Sequence, residues 1–345
     1  MIRFECDYNQ GATTEVLDAL VSTNLEQTIG YGEDTHSVHA KQLILEKCKN
    51  PDADVHFVVG GTQANLLVIS TALRPVEGVI AADTGHINVH ETGAIEATGH
   101  KVLALPSIDG KITAEQVELT YTAHHEDSTH EHMVKPGMVY ISHPTEMGTL
   151  YTLSELEALS AVCKKRDLLL FVDGARLGYG MAADSSINYE TLATLTDAFT
   201  IGGTKVGLLF GEAIVLTHTL LKKDFRYLIK QRGGLLAKGR LLGVQFEVLM
   251  NGSYYIEKSQ QANTYAQAIK DALLKKDVPF LCDTVCNQIF PIFEDSWLEK
   301  LSKSFAFSYW QRVDETHSAI RFCTSVLTQK SDVDALLAYI DINIM

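Results

Sequence analysis

Two apolar runs near the middle of the chain each end in a cluster of small and charged residues. The first run is followed by Asp173 and Arg176, and the second by Thr204 and Lys205. Such runs are typical of buried parallel strands, whose carboxyl ends meet at one sheet edge, where ligands bind. A carboxylate, a guanidinium and an amine at that edge suit an acidic substrate and a cofactor with a basic ring nitrogen and a carbonyl carbon. The same residues also fit an Asp-Gly turn and a loop with a solvated lysine.

A third apolar run, residues 55–59, passes through Gly60 and Gly61 into a helical pattern that begins with Thr62 and Gln63. A helix that starts directly after glycines presents unpaired N–H groups and the positive end of its dipole, which together bind anions. The spacing matches neither the dinucleotide fingerprint nor the P-loop sequence. One phosphate group fits such a site, and so does a capped helix without a ligand.

Two further residues follow or interrupt predicted strands in ways that suggest chemistry. His86 lies just beyond the strand at residues 78–82, where an imidazole can stack on a planar ring or transfer a proton. Arg321 lies within an apolar strand pattern, and a charge there is costly unless it faces an anion. The histidine- and acid-rich segment 123–132 matches no metal motif, and its polarity predicts an exposed loop.

The composition restricts the class of protein. The 345 residues carry a net charge of −14, which argues against binding to nucleic acid phosphates. A hydrophobic content of 46% with 21% charged residues is typical of a globular protein. The sequence contains no signal peptide pattern and no apolar segment of about 18 residues, so we expect a cytoplasmic protein without a membrane span. The six cysteines lack Cys-x-x-Cys spacing, which predicts neither disulfides nor a metal site.

Strands and helices alternate from Val55 to Thr200, which predicts an α/β fold with a mainly parallel sheet flanked by helices. Beyond Tyr255 the pattern changes to a long helix, several short strands and a closing helix, which predicts a smaller α+β domain. We therefore predict an N-terminal arm at residues 1–14, a large domain at 15–250 and a small C-terminal domain at 251–345.

In their order and spacing, these motifs resemble the threonine aldolase family, within the beta-eliminating lyase group of pyridoxal-phosphate enzymes. The motifs are Gly61-Thr62-Gln63, His86, Asp173-Gly174-Ala175-Arg176, Gly203-Thr204-Lys205 and Arg321. The resemblance covers nearly the whole chain. It implies an aspartate aminotransferase-like fold and the cleavage of a β-hydroxy-α-amino acid, such as L-threonine or L-allo-threonine, to glycine and an aldehyde.

The resemblance also implies roles for individual residues. Lys205 would hold pyridoxal 5'-phosphate as a Schiff base, Asp173 would keep the ring nitrogen protonated, and His86 would stack on the ring. The residues implied to hold the cofactor are Gly61, Thr62, Gln63, His86, Asp173, Arg176, Thr204, Lys205 and, from a neighbouring subunit, Lys238. Those implied to contact the substrate are Cys6, Arg176, Arg321 and, from a neighbouring subunit, Tyr31.

The sequence leaves the catalytic base and the type of reaction open. His86, His132 or a water held between them could accept the proton of the substrate hydroxyl. The shared site implied by Tyr31 and Lys238 predicts a homo-oligomer, a tetramer built from dimers. The same cofactor would also support β-elimination or transamination, and a third hypothesis is a non-catalytic binding protein on the same fold. Cys6 stands where many family members have a serine, which bears on substrate preference.

Overall fold

The structure, a computed structural model, describes residues 1–344, and Met345, the end of the predicted C-terminal domain, lies outside the described residues. The strands in this range are β1 (Ile2–Arg3), β2 (Asp54–Val58), β3 (Glu77–Ala82), β4 (Val102–Leu105), β5 (Lys135–Ser142), β6 (Leu169–Asp173), β7 (Ala198–Gly202), β8 (Glu212–Leu216), β9 (Gln288–Ile289), β10 (Ile292–Glu294), β11 (Phe305–Ala306), β12 (Ser308–Arg312) and β13 (His317–Cys323). The helices are α1 (Thr14–Ser22), α2 (Thr35–Cys48), α3 (Gly61–Ala72), α4 (His86–Val89), α5 (Ala114–Glu126), α6 (Leu153–Arg166), α7 (Leu177–Ala183), α8 (Tyr189–Leu195), α9 (Thr219–Lys222), α10 (Phe225–Gln231), α11 (Arg240–Met250), α12 (Tyr254–Leu274), α13 (Asp295–Leu301) and α14 (Lys330–Asn343). No helix in this range is long and apolar enough to cross a membrane.

A seven-stranded sheet forms the centre of the molecule, with the strand order β2-β8-β7-β6-β5-β3-β4. Strand β8 pairs antiparallel with both of its neighbours, whereas the pairs from β7 to β4 are parallel. The predicted α/β fold with a mainly parallel sheet is therefore confirmed. The carboxyl ends of β3, β5, β6 and β7 consequently lie along one edge of the sheet, together with the start of β8.

The central strands are mainly apolar because both faces of the sheet are covered by helices. Every residue of β3, β7 and β8 is buried. One face packs into a hydrophobic cluster with α2, α6 and α11, and the other packs into a second cluster with α3 and α10. Rigid strands with covered faces hold the residues at their ends in fixed positions.

The C-terminal part has an antiparallel sheet, in which β13 pairs with β9, β10 and β12. A third hydrophobic cluster joins this sheet to α12, α13 and α14. The N-terminus belongs to the same cluster, because β1 pairs with β11 and the Phe4 side chain is fully buried there. The division at residues 14 and 250 stays a prediction.

The histidine-rich segment is only in part the exposed loop that its polarity predicts. Helix α5 continues to Glu126, so His124 and His125 are helical, and His130–His132 form a turn of 3₁₀-helix. The helix begins with a capping box between Thr113 and Gln116.

Candidate active site

Two connected cavities lie at the carboxyl edge of the large sheet. The inner cavity, of about 320 Å³, is lined by residues that include Gly61, Thr62, His86, Asp173, Thr204 and Lys205. The outer cavity, of about 700 Å³, adjoins it and is lined by residues that include Tyr309, Trp310 and Arg321 from the C-terminal sheet. The residues that line both cavities are Tyr8, His86, Glu146, Arg176 and Lys205. The sheet edge predicted from the two apolar runs is thus the floor of a site.

Asp173 ends β6 at the bottom of the inner cavity, and its side chain is almost completely buried. Its Oδ2 accepts hydrogen bonds from Asn65 Nδ2 at 2.9 Å and Tyr140 Oη at 2.7 Å, and Oδ1 accepts one from the Ala175 N–H at 2.9 Å. Burial alone would raise the pKa of this carboxyl, but the charge of His86 and the hydrogen bonds lower it. Asp173 is therefore a buried carboxylate whose described hydrogen-bond donors are all neutral, which suits it to face a cationic ring nitrogen.

The start of α3 forms the opposite end of the inner cavity. No side chain in residues 1–344 caps the helix at Gly60. A side chain built at Gly60 would meet no atom within 4 Å, and one at Gly61 would meet only Glu212, at 3.9 Å. Open space over uncapped N–H groups is the geometry that a phosphate group requires.

Lys205 follows β7 in a short 3₁₀ turn and lines both cavities. Burial, followed by the positive charge of Arg176, lowers the pKa of its ammonium group. The backbone around it is fixed, because the Tyr179 hydroxyl donates to the Lys205 carbonyl at 2.6 Å and Thr204 Oγ1 accepts from Gly211 N–H at 3.0 Å. A lysine with a lowered pKa is suited to attack a carbonyl carbon.

His86 opens α4 directly after β3, and its ring lines both cavities. Its Nδ1 lies 2.8 Å from Glu91 Oε1, and the Glu91 side chain is fully buried. Asn65 Nδ2 donates to the same Glu91 oxygen at 2.7 Å and also to Asp173, so the two acids are connected through one amide. This network orients the imidazole over the inner cavity.

Arg321 on β13 lines the outer cavity, and its guanidinium lies 5.6 Å from the ring centre of Trp310. It donates to the Glu5 carbonyl at 2.8 Å and to Gln288 Oε1 at 3.1 Å. Every hydrogen bond that it donates to a described residue thus ends on a neutral oxygen. Its positive charge remains available to a carboxylate in the outer cavity.

Arg176 also lines both cavities, but the chain itself neutralises its charge. Its Nε and Nη2 donate to the two oxygens of Asp7 at 2.7 and 3.0 Å, and Asn287 Nδ2 donates to Asp7 Oδ2 at 3.0 Å. Burial opposes ionisation of Asp7, but the charges of Arg176 and Lys205 lower its pKa to about 2. Arg176 therefore sits at the predicted place, with a partner that the sequence did not reveal.

Five of the sequence-predicted site residues do not line either cavity within one described chain. Gln63 instead accepts from the Val59 N–H at 3.2 Å and donates to the Arg232 carbonyl at 3.1 Å. Cys6 is half-buried beside the N-terminal strand, and its neighbour Tyr8 lines both cavities in its place. The remaining three are Tyr31, which lines a separate pocket, and the exposed His132 and Lys238.

Two buried glutamates line the inner cavity and were not predicted. Glu146 follows β5, and burial together with the nearby Asp173 charge raises its pKa. Glu212 begins β8, its Oε2 has no hydrogen-bond partner among residues 1–344, and burial raises its pKa well above the ordinary value. The only sequence signal for either residue is its position next to the end of a strand. Many surface glutamates occupy the same kind of position, so this signal does not identify a buried one.

Strand order, the lysine and aspartate at the sheet edge and the separate C-terminal sheet define an enzyme on the aminotransferase-like α/β fold. A solved histidinol-phosphate aminotransferase from Clostridium acetobutylicum has this fold, with a TM-score of 0.73 at 12% identity over 99% of this chain and 98% of that one. The chain belongs to the beta-eliminating lyase family, whose family model matches residues 4–292.

Three individual relatives are more similar in sequence to this chain than the aminotransferase is. A low specificity L-threonine aldolase from a Pseudomonas species is 32% identical over 305 residues, 87% of this chain and 86% of its own length. One from Pseudomonas aeruginosa is 30% identical over 80% of this chain and 79% of its own length. The solved threonine aldolase of Leishmania major is 42% identical with a TM-score of 0.97, and the match covers 100% of both chains. The resemblance predicted from the motifs is confirmed.

Proposed function

We propose that this protein is a pyridoxal-phosphate-dependent aldolase that cleaves L-threonine or L-allo-threonine to glycine and an aldehyde. The observation that carries this proposal is the arrangement along the inner cavity. A buried carboxylate without a cationic partner in the described chain, an amine with a lowered pKa and an uncapped helix start line one space of about 320 Å³. A lyase of this family with that arrangement is suited to break a bond at the α-carbon of an amino acid.

The residues of the inner cavity fit the cofactor at each of its functional groups. Asp173 would hold the ring nitrogen protonated, Lys205 would attach to the aldehyde carbon, and the N–H groups at Gly61 and Thr62 would hold the phosphate. Thr204 lies beside Lys205, and its hydroxyl, which accepts a hydrogen bond from the Gly211 N–H at 3.0 Å, fixes the turn that presents the lysine. When bound, pyridoxal phosphate withdraws electrons from the α-carbon of an attached amino acid.

The residues of the outer cavity would bind and orient the substrate. Arg321 would bind the substrate carboxylate as a planar, bidentate donor. His86, fixed by Glu91 at 2.8 Å, would lie against the cofactor ring. Carboxylate binding sets which bond at the α-carbon stands perpendicular to the ring, and that bond is the one cleaved. Tyr8 and Trp310 supply aromatic side chains to the wall of the outer cavity.

Product analysis tests the reaction type. We expect the purified protein, saturated with pyridoxal phosphate, to release glycine and acetaldehyde from L-threonine. Release of 2-oxobutanoate and ammonia from L-threonine, or of a keto acid by amino transfer, would instead support the elimination or transamination hypothesis. Lys205→Ala is the matched control, because it removes the amine and leaves the cavity walls intact. Binding of the cofactor without any product from either route would support the non-catalytic hypothesis.

We also propose that the active site is shared between subunits of a homo-oligomer. Tyr31 and Lys238 line neither cavity of their own chain, so they would reach an active site only where a second copy presents them to its neighbour. Lys205→Ala and Lys238→Ala proteins, each inactive or weakened alone, should then regain activity when their subunits are mixed. A lack of complementation with subunit exchange demonstrated would contradict a shared site. The tetrameric state and the cytoplasmic location stay predictions.

A further inference from the structure

Glu146 stands at the boundary between the two cavities. It follows β5 and is buried, and its side chain lines both the inner and the outer cavity. The proposed cofactor occupies the first of these spaces and the substrate reaches it through the second. A group at this boundary therefore faces the part of the substrate next to the bond that breaks.

The carboxyl group of Glu146 is held in one orientation. Its Oε1 accepts a hydrogen bond from the His86 N–H at 2.8 Å and another from Ser142 Oγ at 2.6 Å. Both hydrogen bonds converge on one oxygen, so the other oxygen, Oε2, is the one available to a ligand. A side chain fixed in this way is preorganised for proton transfer.

The other groups that line both cavities are less suited to accept a proton. Arg176 is paired with Asp7, and Lys205 is the proposed attachment point of the cofactor. Tyr8 is a phenol whose pKa is raised by burial, so it stays protonated at neutral pH. His86 is the remaining competitor: Glu91 engages its Nδ1, so only Nε2 is left to accept a proton, and the proposed role of its ring is to lie against the cofactor.

We propose that Glu146 is the catalytic base that accepts the proton of the substrate β-hydroxyl. This inference rests on the proposed aldolase function. The proton of the O–H bond passes to the Glu146 carboxylate, and the electron pair of that bond forms the second bond of the aldehyde carbonyl. The Cα–Cβ bond breaks at the same time, and its electron pair stays with the α-carbon, where pyridoxal phosphate accepts it. A proton later added to the α-carbon completes glycine.

The electrostatic surroundings of Glu146 agree with this role. Burial, and to a smaller extent the negative charge of Asp173, raises the pKa of its carboxyl, while the hydrogen bonds from Ser142 and His86 oppose that rise. A carboxylate with a raised pKa is a stronger base than one in water.

The test compares two reactions of the holoenzyme in Glu146→Gln. Cleavage of L-threonine needs a base for the β-hydroxyl, whereas exchange of the α-protons of glycine with D2O, followed by NMR, does not involve that group. We expect cleavage to fall by about 100-fold to 10,000-fold. Glycine exchange should stay within about threefold of wild type, because it reports on the cofactor and Lys205. Glu299→Gln, an exposed glutamate on α13, is the matched control and should change neither reaction.

Each outcome of this comparison decides a different point. Equal losses of cleavage and exchange would show that Glu146 only supports the structure of the site, and they would overturn the proposal. Cleavage within about threefold of wild type in Glu146→Gln would also overturn it. A wild-type protein that exchanges glycine protons but does not cleave β-hydroxy amino acids would refute the aldolase function itself, and with it the base.

Discussion

Arg176 and Arg321 both line the outer cavity, but the protein treats their charges in opposite ways. Arg176 forms two hydrogen bonds to the buried Asp7, so its charge is neutralised within the chain. Arg321 donates only to neutral oxygens of the described residues, so its charge is left for a ligand. The first of these two guanidinium groups thus fixes the N-terminal segment to the sheet edge, and the second is left to bind the carboxylate of the proposed substrate.

The same contrast separates the acidic residues. Asp7 has its cation within the chain, whereas Asp173 accepts hydrogen bonds from neutral donors only, among residues 1–344. Asp7 with Arg176 is a closed pair. Asp173 and Arg321 form the open arrangement: no charged group of the described chain hydrogen-bonds to either of them, and the cofactor and the substrate would supply such partners.

The closed pair should give the largest effect on stability. We expect Arg176→Leu to reduce the free energy of unfolding by about 3–5 kcal/mol, because it leaves the Asp7 carboxylate buried without its cation. Denaturant unfolding of the purified variant measures this loss. Arg166→Leu, which removes the surface pair with Glu118, is the control and should cost much less, because solvent screens that pair. A similar small loss in both variants would contradict the distinction.

Arg321, which belongs to the open arrangement, should affect catalysis instead of stability. We expect Arg321→Leu to lower kcat/KM for L-threonine roughly 10- to 150-fold, because hydrogen bonds to the substrate carboxylate are lost. This factor corresponds to a loss of about 1.5–3 kcal/mol of transition-state stabilisation. L-Threonine amide, which has no carboxylate, should be cleaved at similar rates by the variant and the wild type. An equal loss with both substrates would mean that Arg321 supports the structure of the site and does not bind the substrate carboxylate.

The closed pair of Asp7 and Arg176 should also make the free energy of unfolding depend on pH in the acid range. The pKa of Asp7 is lowered to about 2 from an ordinary value of 3.8, so its contribution is present above pH 3.8 and is lost as the pH falls through 2. This shift corresponds to about 2 kcal/mol of the free energy of unfolding. Unfolding measured between pH 5 and pH 2 should show this loss in the wild type but not in Asp7→Asn. Parallel curves for both proteins would contradict the assignment.

The smallest expected effect concerns a neutral donor to Asp173. Tyr140→Phe removes the hydrogen bond of 2.7 Å and should weaken cofactor binding by about 1 kcal/mol, roughly fivefold. The measurement is a titration of the apoprotein with pyridoxal phosphate. Phe293→Leu, in the hydrophobic cluster of the C-terminal part, serves as a packing control. A loss of more than about 100-fold in Tyr140→Phe would mean that this phenol, and not the cofactor ring, is the main partner of Asp173.

The sequence predicts the open arrangement better than the closed pair. Asp173 and Lys205 follow apolar strands, and parallel strands bring their ends to one edge, so local pattern is enough to place them. Asp7 and Arg176 are 169 positions apart, and the N-terminal segment carries no periodic signal that says where it packs. Glu146 and Glu212 are missed for a related reason, because only the folded sheet distinguishes a buried glutamate at a strand end from a solvated one.

The residues assigned to a neighbouring subunit mark another limit of the sequence. Tyr31 and Lys238 follow from the family resemblance, and one chain alone cannot bring them to the cavity that contains Lys205. Gln63 shows the reverse situation: it belongs to a predicted phosphate motif, but its side chain bonds to Val59 and Arg232 instead. In this motif the sequence therefore predicts correctly where the helix begins, but it does not predict where the Gln63 side chain bonds.

Borohydride reduction of the protein saturated with pyridoxal phosphate tests the central claim most directly. Reduction should fix the cofactor covalently, and peptide mass mapping should find the added mass on the peptide that contains Lys205. Asp173→Asn should still be labelled at Lys205, because the aspartate acts on the ring nitrogen and not on the attachment point. An unmodified Lys205 in the saturated wild-type protein, or a label on another lysine, would contradict the proposed site.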